Sequence, residues 1–279
     1  MLVCSLGDLL LDVVVRPDRG LVTGSDVSAR TRVTVGGQAA NVAAWVAALG
    51  GRARFVGKRA DDEGSRVAVS ALERGGVEVV GPVVGGDSGI VVSLVAADGE
   101  RTMASFRGVA DELSVDEIDV EWFVCDHLHI SGYALAGEPM RAAARRASAA
   151  ARDRGAQVSV DLAATTVVEA VGMPELRNLL DSLGPDVVFC NGDEDEAIGG
   201  RLDGPVWIVK RGGRGATVDG VRHSAESVDD VVDTTGAGDA FAAGWIIGGI
   251  ELALHAAALC VTQVGAFPAA PVETRPLQG

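Results

Sequence analysis

Short runs of β-branched residues alternate with alanine-rich segments along most of this chain of 279 residues. The β-branched runs predict buried strands at residues 2–6, 54–56, 127–130, 157–161, 187–190 and 206–209. The segments between them predict helices at about residues 38–49, 63–74, 138–154, 174–183 and 239–248. This alternation indicates an α/β fold, in which helices cover both faces of a mainly parallel sheet. Ligands of such folds bind beyond the carboxyl ends of the strands.

Two segments, at about residues 11–35 and 88–107, depart from the alternation. Residues 89–96 and 101–107 flank Ala97-Asp98-Gly99-Glu100, a turn signal that predicts a β-hairpin. With residues 12–15 and 31–35, the hairpin predicts a small sheet that projects from the core as a lid. Two alternatives stay open: the strands extend the main sheet, or they pair across a two-fold axis and make the chain a homodimer.

The composition favours a globular protein with a single domain over residues 1–279, because apolar residues make up 48% of the chain. No uninterrupted apolar run approaches the roughly 18 residues of a membrane helix, and the N-terminus lacks the basic start of a secretion signal. We therefore expect a cytoplasmic protein without a membrane partner. The net charge of −15 argues against a nucleic acid partner. Four widely spaced cysteines predict buried free thiols.

A glycine-rich turn precedes the last predicted helix, in the segment DTTGAGDAF at residues 233–241. The backbone N–H groups of Gly236, Ala237 and Gly238 are placed to face an anion at the helix start. Asp239 follows in the first helical turn, where a carboxylate accepts the proton of a hydroxyl that attacks a phosphoryl group. The alternative is an ordinary tight connection with an acid that the helix dipole favours.

A second glycine pair, Gly36 and Gly37, opens the first long helix, and Asn41 follows about one turn later. Together, GGxxxN at residues 36–41 and DTxGAGDxF at residues 233–241 resemble the ribokinase (PfkB) family of carbohydrate kinases. The resemblance extends over essentially the whole chain. It implies a ribokinase-like three-layer α/β/α fold with a mainly parallel sheet and a small β-sheet lid. It also implies ATP as the phosphoryl donor and Mg²⁺ that arrives with the nucleotide.

The resemblance assigns the catalytic step to the late signature. Asp239 matches the general base that deprotonates the acceptor hydroxyl. Gly236, Ala237 and Gly238 match the anion hole beneath the transferred phosphate.

On the acceptor side, Asp12, Gly37 and Asn41 match positions that bind the substrate. Gln38 stands where ribokinases usually have lysine, which weakens ribose as the expected substrate. Arg107, in the predicted lid, resembles an arginine that faces a carboxylate or hydroxyls in related sugar kinases. A solvated charge at a strand edge is the alternative reading of Arg107.

The nucleotide site is assigned to residues after the later strands and at the anion hole, namely Asn191, Lys210, Gly212, Gly215 and Gly238. Glu194 matches a residue that organises Mg²⁺ through water. Asp233 and Thr235 match positions that hold a monovalent cation in many members, so K⁺ is a further candidate cofactor.

The function that follows is ATP-dependent phosphorylation of a primary hydroxyl of a sugar or sugar acid of the fructose, 2-keto-3-deoxygluconate or ribose type. A nucleoside kinase of the same fold is one alternative, although a single tyrosine and six phenylalanines offer few aromatic walls for a base. A catalytically silent regulator that binds sugar or nucleotide is another.

Overall fold

The computed structural model describes residues 1–96 and 101–272. The described strands are β1 (Leu2–Leu6), β2 (Leu10–Pro17), β3 (Ala29–Gly36), β4 (Arg52–Val56), β5 (Arg59–Ala60), β6 (Val77–Val80), β7 (Val83–Val84), β8 (Ser88–Val95), β9 (Arg101–Gly108), β10 (His127–Ser131), β11 (Gln157–Asp161), β12 (Val187–Asn191), β13 (Val206–Lys210), β14 (Ala216–Val218) and β15 (Val221–His223). The described α-helices are α1 (Gln38–Ala48), α2 (Glu63–Arg74), α3 (Met140–Arg152), α4 (Thr165–Val171), α5 (Met173–Leu183), α6 (Gly192–Ala197) and α7 (Ala237–Val261). Short 3-10 segments lie at Val109–Asp111, Val115–Glu117, Val120–Phe123, Gly132–Leu135 and Gly212–Arg214.

The main sheet has the strand order β15-β14-β13-β12-β11-β10-β1-β4-β6. Neighbouring strands from β13 to β6 are parallel, and only the β13–β14 and β14–β15 pairs of this sheet are antiparallel in the described chain. All six strands predicted from β-branched runs lie in this sheet. The sequence analysis missed β6, β14 and β15, which are short strands toward the two edges.

Two hydrophobic clusters, one on each face of the main sheet, confirm the three-layer arrangement. Strand residues such as Phe55, Phe189 and Ile208 pack with α1, α2 and both halves of α7. Their strand neighbours, such as Leu128 and Val188, pack with α3, α5 and the end of α6. Because successive side chains of a strand point to opposite faces, one run of β-branched residues supplies both clusters.

The segments that depart from the alternation form a separate four-stranded sheet with the order β3-β2-β8-β9. Strands β2 and β8 are parallel, while β3 and β9 pair antiparallel at the two edges. The sheet is separate, so these strands do not extend the main sheet. The predicted turn at residues 97–100 lies outside the described residues, and of Arg101 only the backbone, paired with Val95, is described.

Helix α7 is longer than predicted, and it is interrupted at Gly248 and Gly249, whose backbone angles are not helical. Within the described chain it is the one helix with the length and hydropathy of a membrane span. Length and hydropathy alone are weak evidence, because core helices meet the same criteria. Phe241 and Ile246 of its first half are buried in the core.

The cysteines follow the prediction of free thiols. Cys4, Cys190 and Cys260 are buried, and Cys125 is half-buried.

Candidate active site

Several polar side chains lie at the carboxyl edge of the main sheet, where parallel strands end together. Ser131 at the end of β10 pairs in register with Asp161 at the end of β11. Asn191 at the end of β12 pairs in register with Lys210 at the end of β13. The parallel register therefore aligns residues that are far apart in sequence along one edge, as predicted for ligand sites of this fold class.

The glycine-rich turn enters α7 through Gly236, whose φ of 78° is in the left-handed region. A side chain at Gly236 would collide with Ala266, so the turn needs glycine for space as well as for conformation. Ala237 begins the helix, and Asp239 lies in its first turn. The sequence prediction for this local geometry is confirmed.

The Asp239 carboxylate is joined to the first glycine signature. Asn41 Nδ2 donates a hydrogen bond of 2.8 Å to Asp239 Oδ2. Burial, together with the charges of Asp161 and Asp8, raises the pKa of Asp239 to about 7, although the Asn41 bond and Lys210 act in the opposite direction. A carboxyl group with a pKa near neutrality is suited to take up a proton during turnover.

Lys210 lies beside the glycine-rich turn. A Cβ added at Gly238 would be 3.1 Å from Lys210 Nζ. The ammonium group also donates a short hydrogen bond to Asp161, whose side chain is buried. Burial by itself would lower the pKa of Lys210, but the charges of Asp161 and Glu194 raise it, so the group stays a cation. Lys210 therefore places a positive charge beside the glycine-rich turn, in a chain whose net charge is −15.

Asn191 and Glu194 form a reciprocal cap at the start of α6. Asn191 Oδ1 accepts from the Glu194 N–H at 2.9 Å, and Glu194 Oε2 accepts from the Asn191 N–H at 2.8 Å. The Asn191 amide also donates to Glu194 Oε1 at 2.7 Å. Burial and the charge of Asp161 raise the pKa of Glu194. The pair is thus held in a fixed geometry next to Lys210.

A cavity of about 710 Å³ joins these elements. Its lining includes the cap pair and Lys210, the glycines of the β13–β14 connection, and the turn and first residues of α7. Gln38, from the first signature, lines the same cavity as Asp239. The volume suits a nucleotide-sized ligand.

Gly212 and Gly215, in the connection from β13 to β14, have φ values of 56° and 84°. A side chain at Gly215 would collide with the carbonyl oxygen of His223, whereas Gly212 has open space around it. Gly215 is therefore required by the turn itself, and Gly212 leaves backbone open to the cavity.

The acceptor-side residues of the sequence analysis lie around the first glycine pair. A side chain at Gly36 would collide with the carboxylate of Asp12, and one at Gly37 would collide with the backbone of Asp8. Asp12 is half-buried on β2. Gln38 Oε1 accepts hydrogen bonds from Ser131 Oγ at 2.6 Å and from the Gly132 N–H at 3.2 Å. Gln38 thus ties α1 to the end of β10.

Arg107 reaches this region from β9. Its guanidinium forms an ion pair with Asp8, and Asp111 Oδ2 lies 3.9 Å from its Nε. The guanidinium also lies 3.7 Å from the ring centre of Tyr133. The alternative of a solvated strand-edge charge does not describe Arg107, because a buried carboxylate and an aromatic ring enclose it.

Asp233, the candidate K⁺ ligand, is buried and accepts hydrogen bonds from the Thr235 N–H at 2.8 Å and the Gly265 N–H at 2.9 Å. It therefore fixes the turn against the C-terminal loop. A role for Asp233 and Thr235 in binding K⁺ stays a prediction.

The sequence analysis did not single out three residues of this region: Asp8, Asp161 and Tyr133. The first two follow or end predicted strands, at residues 2–6 and 157–161, so their position at the carboxyl edge was an available signal. The 3-10 segment Gly132–Leu135 places Tyr133 just beyond β10, and residue type alone gave no indication of it.

The α/β/α fold, with a glycine-rich turn and a carboxylate on one cavity, is that of the ribokinase-like class of phosphotransferases. The profile of the pfkB family of carbohydrate kinases matches residues 1–272. The chain is 34% identical to an ATP-dependent ribose-1-phosphate kinase of Halopiger xanaduensis, over 92% of this chain and 90% of that protein. It is 31% identical to fructokinase-1 of Zea mays, over 99% of this chain and 97% of that protein.

Among solved structures, an adenosine kinase of Sinorhizobium meliloti is similar with a TM-score of 0.85 and 26% identity, over 96% of both chains. The chain belongs to the pfkB family of carbohydrate kinases and is an ATP-dependent sugar kinase, as the two signatures indicated. The three relatives bear the names of three different acceptors, so the family membership leaves the substrate open.

Proposed function

We propose that this kinase transfers the γ-phosphoryl group of ATP to a primary hydroxyl of a sugar or sugar acid, with Asp239 as the base. The hydrogen bond from Asn41 to Asp239 carries the proposal, because it connects the acceptor-side helix to a carboxylate on the nucleotide-sized cavity. A general base must lie within hydrogen-bond reach of the acceptor hydroxyl, and that hydroxyl must face the phosphoryl group.

Asp239 accepts the proton of the acceptor hydroxyl as that hydroxyl attacks the γ-phosphate. The N–H groups of Gly236 and Gly238 at the start of α7 receive the oxygens of the transferred group, and the Ala237 N–H, which donates a turn hydrogen bond of 3.3 Å to the Thr234 carbonyl, must release that bond to join them. Lys210 balances negative charge beside Gly238. Charge in the loose transition state is thereby stabilised by groups that are already in place.

The nucleotide lies in the cavity against Asn191, Lys210, Gly212 and Gly215. Residues Ala257, Ala258 and Val261 of α7 supply an apolar wall, which suits the adenine ring.

The acidic residues present fit Mg²⁺ that enters with the nucleotide. Glu194 and Asp161 are buried carboxylates close to Lys210. Within residues 1–96 and 101–272, no group of three or more candidate ligands forms a complete protein cage. Mg²⁺ commonly binds through one or two carboxylates, waters and phosphates, so Glu194 would hold it through water. The ion supplies charge neutralisation to the phosphates.

Asp12, Gly37 and Asn41 hold the acceptor, and the small sheet covers it and keeps water out. Val33, Ile90 and Phe106 are exposed apolar side chains on one face of the small sheet. That face, opposite the one that carries Asp12, suits the predicted homodimer, although closure over the substrate does not require a dimer.

A nucleoside kinase is the second candidate, because of the similarity to the adenosine kinase structure. Tyr133 is the aromatic partner of Arg107, whose guanidinium covers one face of its ring. A nucleobase would need that face, or another, for stacking.

A coupled assay of ADP release tests the proposal with fructose, ribose, 2-keto-3-deoxygluconate and adenosine as acceptors. We expect sugar-dependent ADP release that requires Mg²⁺. Release that depends on adenosine alone would move the assignment to the nucleoside candidate.

A further inference from the structure

We propose that Cys4 and Cys125 form a redox-active dithiol, which hydrogen peroxide oxidises to an intramolecular disulfide with Cys125 as the attacking thiol. Cys4 lies on β1, and Cys125 lies in the loop before the amino end of β10. Neither cysteine lines the cavity at the carboxyl edge of the sheet. The inference is therefore independent of the proposed phosphoryl transfer.

The two thiols are neighbours in the fold although they are far apart in sequence. Strands β1 and β10 are parallel partners in the main sheet, and the loop that ends at Asp126 is tied to β1 by a hydrogen bond of 2.9 Å from its N–H to the Leu2 carbonyl. Cys125 packs against the hydrophobic cluster that contains Cys4, and a hydrogen bond joins the two side chains. Two reduced thiols in this arrangement are the starting point of a disulfide.

A guanidinium lies beside the pair. Arg54 on β4 is paired in register with Cys4, so both side chains project from the same face of the sheet. Arg54 Nη1 donates to the Trp122 carbonyl oxygen at 2.8 Å, and the Cys4 sulfur lies 3.3 Å from the same oxygen. Glu78 accepts from Arg54 Nε at 2.8 Å. These bonds fix the positive charge of Arg54 next to the dithiol.

The surroundings make the two thiols unequal in acidity. The hydrogen bond from the Cys4 thiol lowers the pKa of Cys125, and the Cys4 N–H and the charge of Arg54 act in the same direction. Burial and the charge of Asp126 oppose them without reversing the effect. The thiol contact, together with burial, raises the pKa of Cys4. Cys125 is therefore the thiolate of the pair, and Cys4 keeps its proton.

Access from solvent follows the same order. Cys125 is half-buried between Val124 and Asp126, which are both exposed, so a small oxidant reaches its sulfur. Cys4 is fully buried. A thiolate that is open to solvent, next to a second thiol that is not, is the arrangement of an attacking and a resolving cysteine.

The oxidation consists of two balanced steps. The Cys125 thiolate attacks one oxygen of hydrogen peroxide, the O–O bond breaks, and a sulfenic acid and hydroxide form. Because the sulfenic acid is neutral, Cys125 no longer raises the pKa of Cys4. The Cys4 sulfur then attacks the sulfenic sulfur, the S–O bond breaks, and the proton of Cys4 leaves with the hydroxyl group as water. The two thiols lose two electrons, which reduce the peroxide.

The test treats the reduced, full-length protein with hydrogen peroxide and then removes the oxidant. We expect the protein to lose two of its four thiols and the mass of two hydrogen atoms, with full recovery in dithiothreitol. Peptide mapping should place the disulfide between Cys4 and Cys125. Four unreacted thiols, a disulfide between other cysteines or a disulfide between two chains would each overturn the inference. These measurements need no variant, so they decide it even where a variant fails to fold.

Two cysteine variants distinguish the attacking thiol from the resolving thiol. Cys4→Ser should accumulate a sulfenic acid at Cys125, which dimedone traps, and should form no intramolecular disulfide. Cys125→Ser should react with peroxide at least about tenfold more slowly than the wild type. Cys190→Ser, which removes a buried thiol elsewhere in the sheet, is the matched control and should form the disulfide normally. A sulfenic acid at Cys4 in Cys125→Ser, at the wild-type rate, would contradict the assigned roles.

Arg54 is a positioning residue in this proposal. Arg54→Met should slow the oxidation by about tenfold at neutral pH and move the pH dependence of the rate to higher pH, because the Cys125 thiolate loses a stabilising charge. Arg52→Met, at an exposed position on the same strand, is the matched control. Circular dichroism and Tm verify that each variant is folded. An unchanged pH profile in folded Arg54→Met would contradict a thiolate held by Arg54.

Discussion

Asn41 and Asp239 are 198 residues apart in sequence, yet the Asn41 amide donates a hydrogen bond of 2.8 Å to the Asp239 carboxylate. The bond brings the start of α1 against the start of α7, so the two glycine signatures meet at one place. Each helix begins at a glycine with positive φ, Gly37 at 97° and Gly236 at 78°. The contact thereby joins the helix that we propose holds the acceptor to the turn that we propose binds the transferred phosphate, which is the spatial requirement for phosphoryl transfer.

Replacement of Asp239 with Asn should lower kcat by about a hundredfold or more, the usual scale for loss of a general base. The amide keeps the size of the side chain, so ATP affinity should change little. Coupled ADP release and nucleotide titration measure the two quantities. Asp229→Asn, at an exposed position before the turn, is the matched control. Retention of full turnover in Asp239→Asn would refute the role of Asp239 as base.

The pH dependence of kcat/KM should show an acid limb with an apparent pKa of about 7, because Asp239 must be ionised to accept a proton. Asn41 lowers this pKa by its hydrogen bond. Asn41→Leu should therefore move the limb to higher pH, in addition to weakening acceptor binding. An acid limb that stays near pH 4 in the wild-type enzyme would contradict the raised pKa.

The same raised pKa of Asp239 gives a stability prediction with a definite sign. Between about pH 4 and pH 7 the unfolded chain has lost this proton while the folded chain retains it. The contribution of Asp239 to the free energy of unfolding should therefore fall as pH rises through this window. Urea denaturation at several pH values measures it, and Asp239→Asn should remove that part of the slope.

The sequence predicted those parts of the molecule that depend on local chemistry. The turn before α7 is an example. The glycines that permit its backbone conformation and the residues that start the helix all lie within nine residues, 233–241. Helix α2 was predicted with its observed bounds, Glu63–Arg74, and the structure shows that Asp62 caps its start through the Ser65 N–H.

The partners of Arg107 depend instead on tertiary packing. Its ion pair with Asp8 spans 99 residues and joins the small sheet to the end of β1. Sequence spacing carries no information about such a pair. The sequence analysis therefore left two interpretations of Arg107 open, a contact with the substrate and a solvated surface charge. Only the three-dimensional structure shows that Asp8, Asp111 and Tyr133 surround the Arg107 guanidinium.

Lys210 and Asp161 should be coupled in stability as well as in function. Lys210→Met leaves the buried Asp161 carboxylate without its cation, which should cost about 3–5 kcal/mol of unfolding free energy. The double variant Lys210→Met with Asp161→Asn should recover a large part of that loss. Denaturant titrations of both variants measure it. Equal instability of the single and double variants would show that the charge pair is not the cause.

The ATP kinetics of the double variant distinguish the contribution of Lys210 to stability from its proposed role at the ATP phosphates. The stabilised double variant still lacks the cation beside Gly238, so its KM for ATP should stay high and its kcat low. Recovery of ATP kinetics together with stability would contradict a direct role of Lys210 at the phosphates.

Gly236 and Gly238, the two glycines of the turn before α7, should respond differently to replacement by alanine. Gly236→Ala places a side chain at a φ of 78° and against Ala266, which should cost about 2 kcal/mol or more in stability. At Gly238 the added methyl would meet only the end of the Lys210 side chain, 3.1 Å away, which shifts easily. Gly238→Ala should therefore keep a wild-type Tm but lose about tenfold to a hundredfold in kcat, because the phosphoryl site narrows and Lys210 moves. Thermal denaturation and ADP release measure both variants, and a Gly238→Ala enzyme with wild-type kcat would place the transferred phosphate elsewhere.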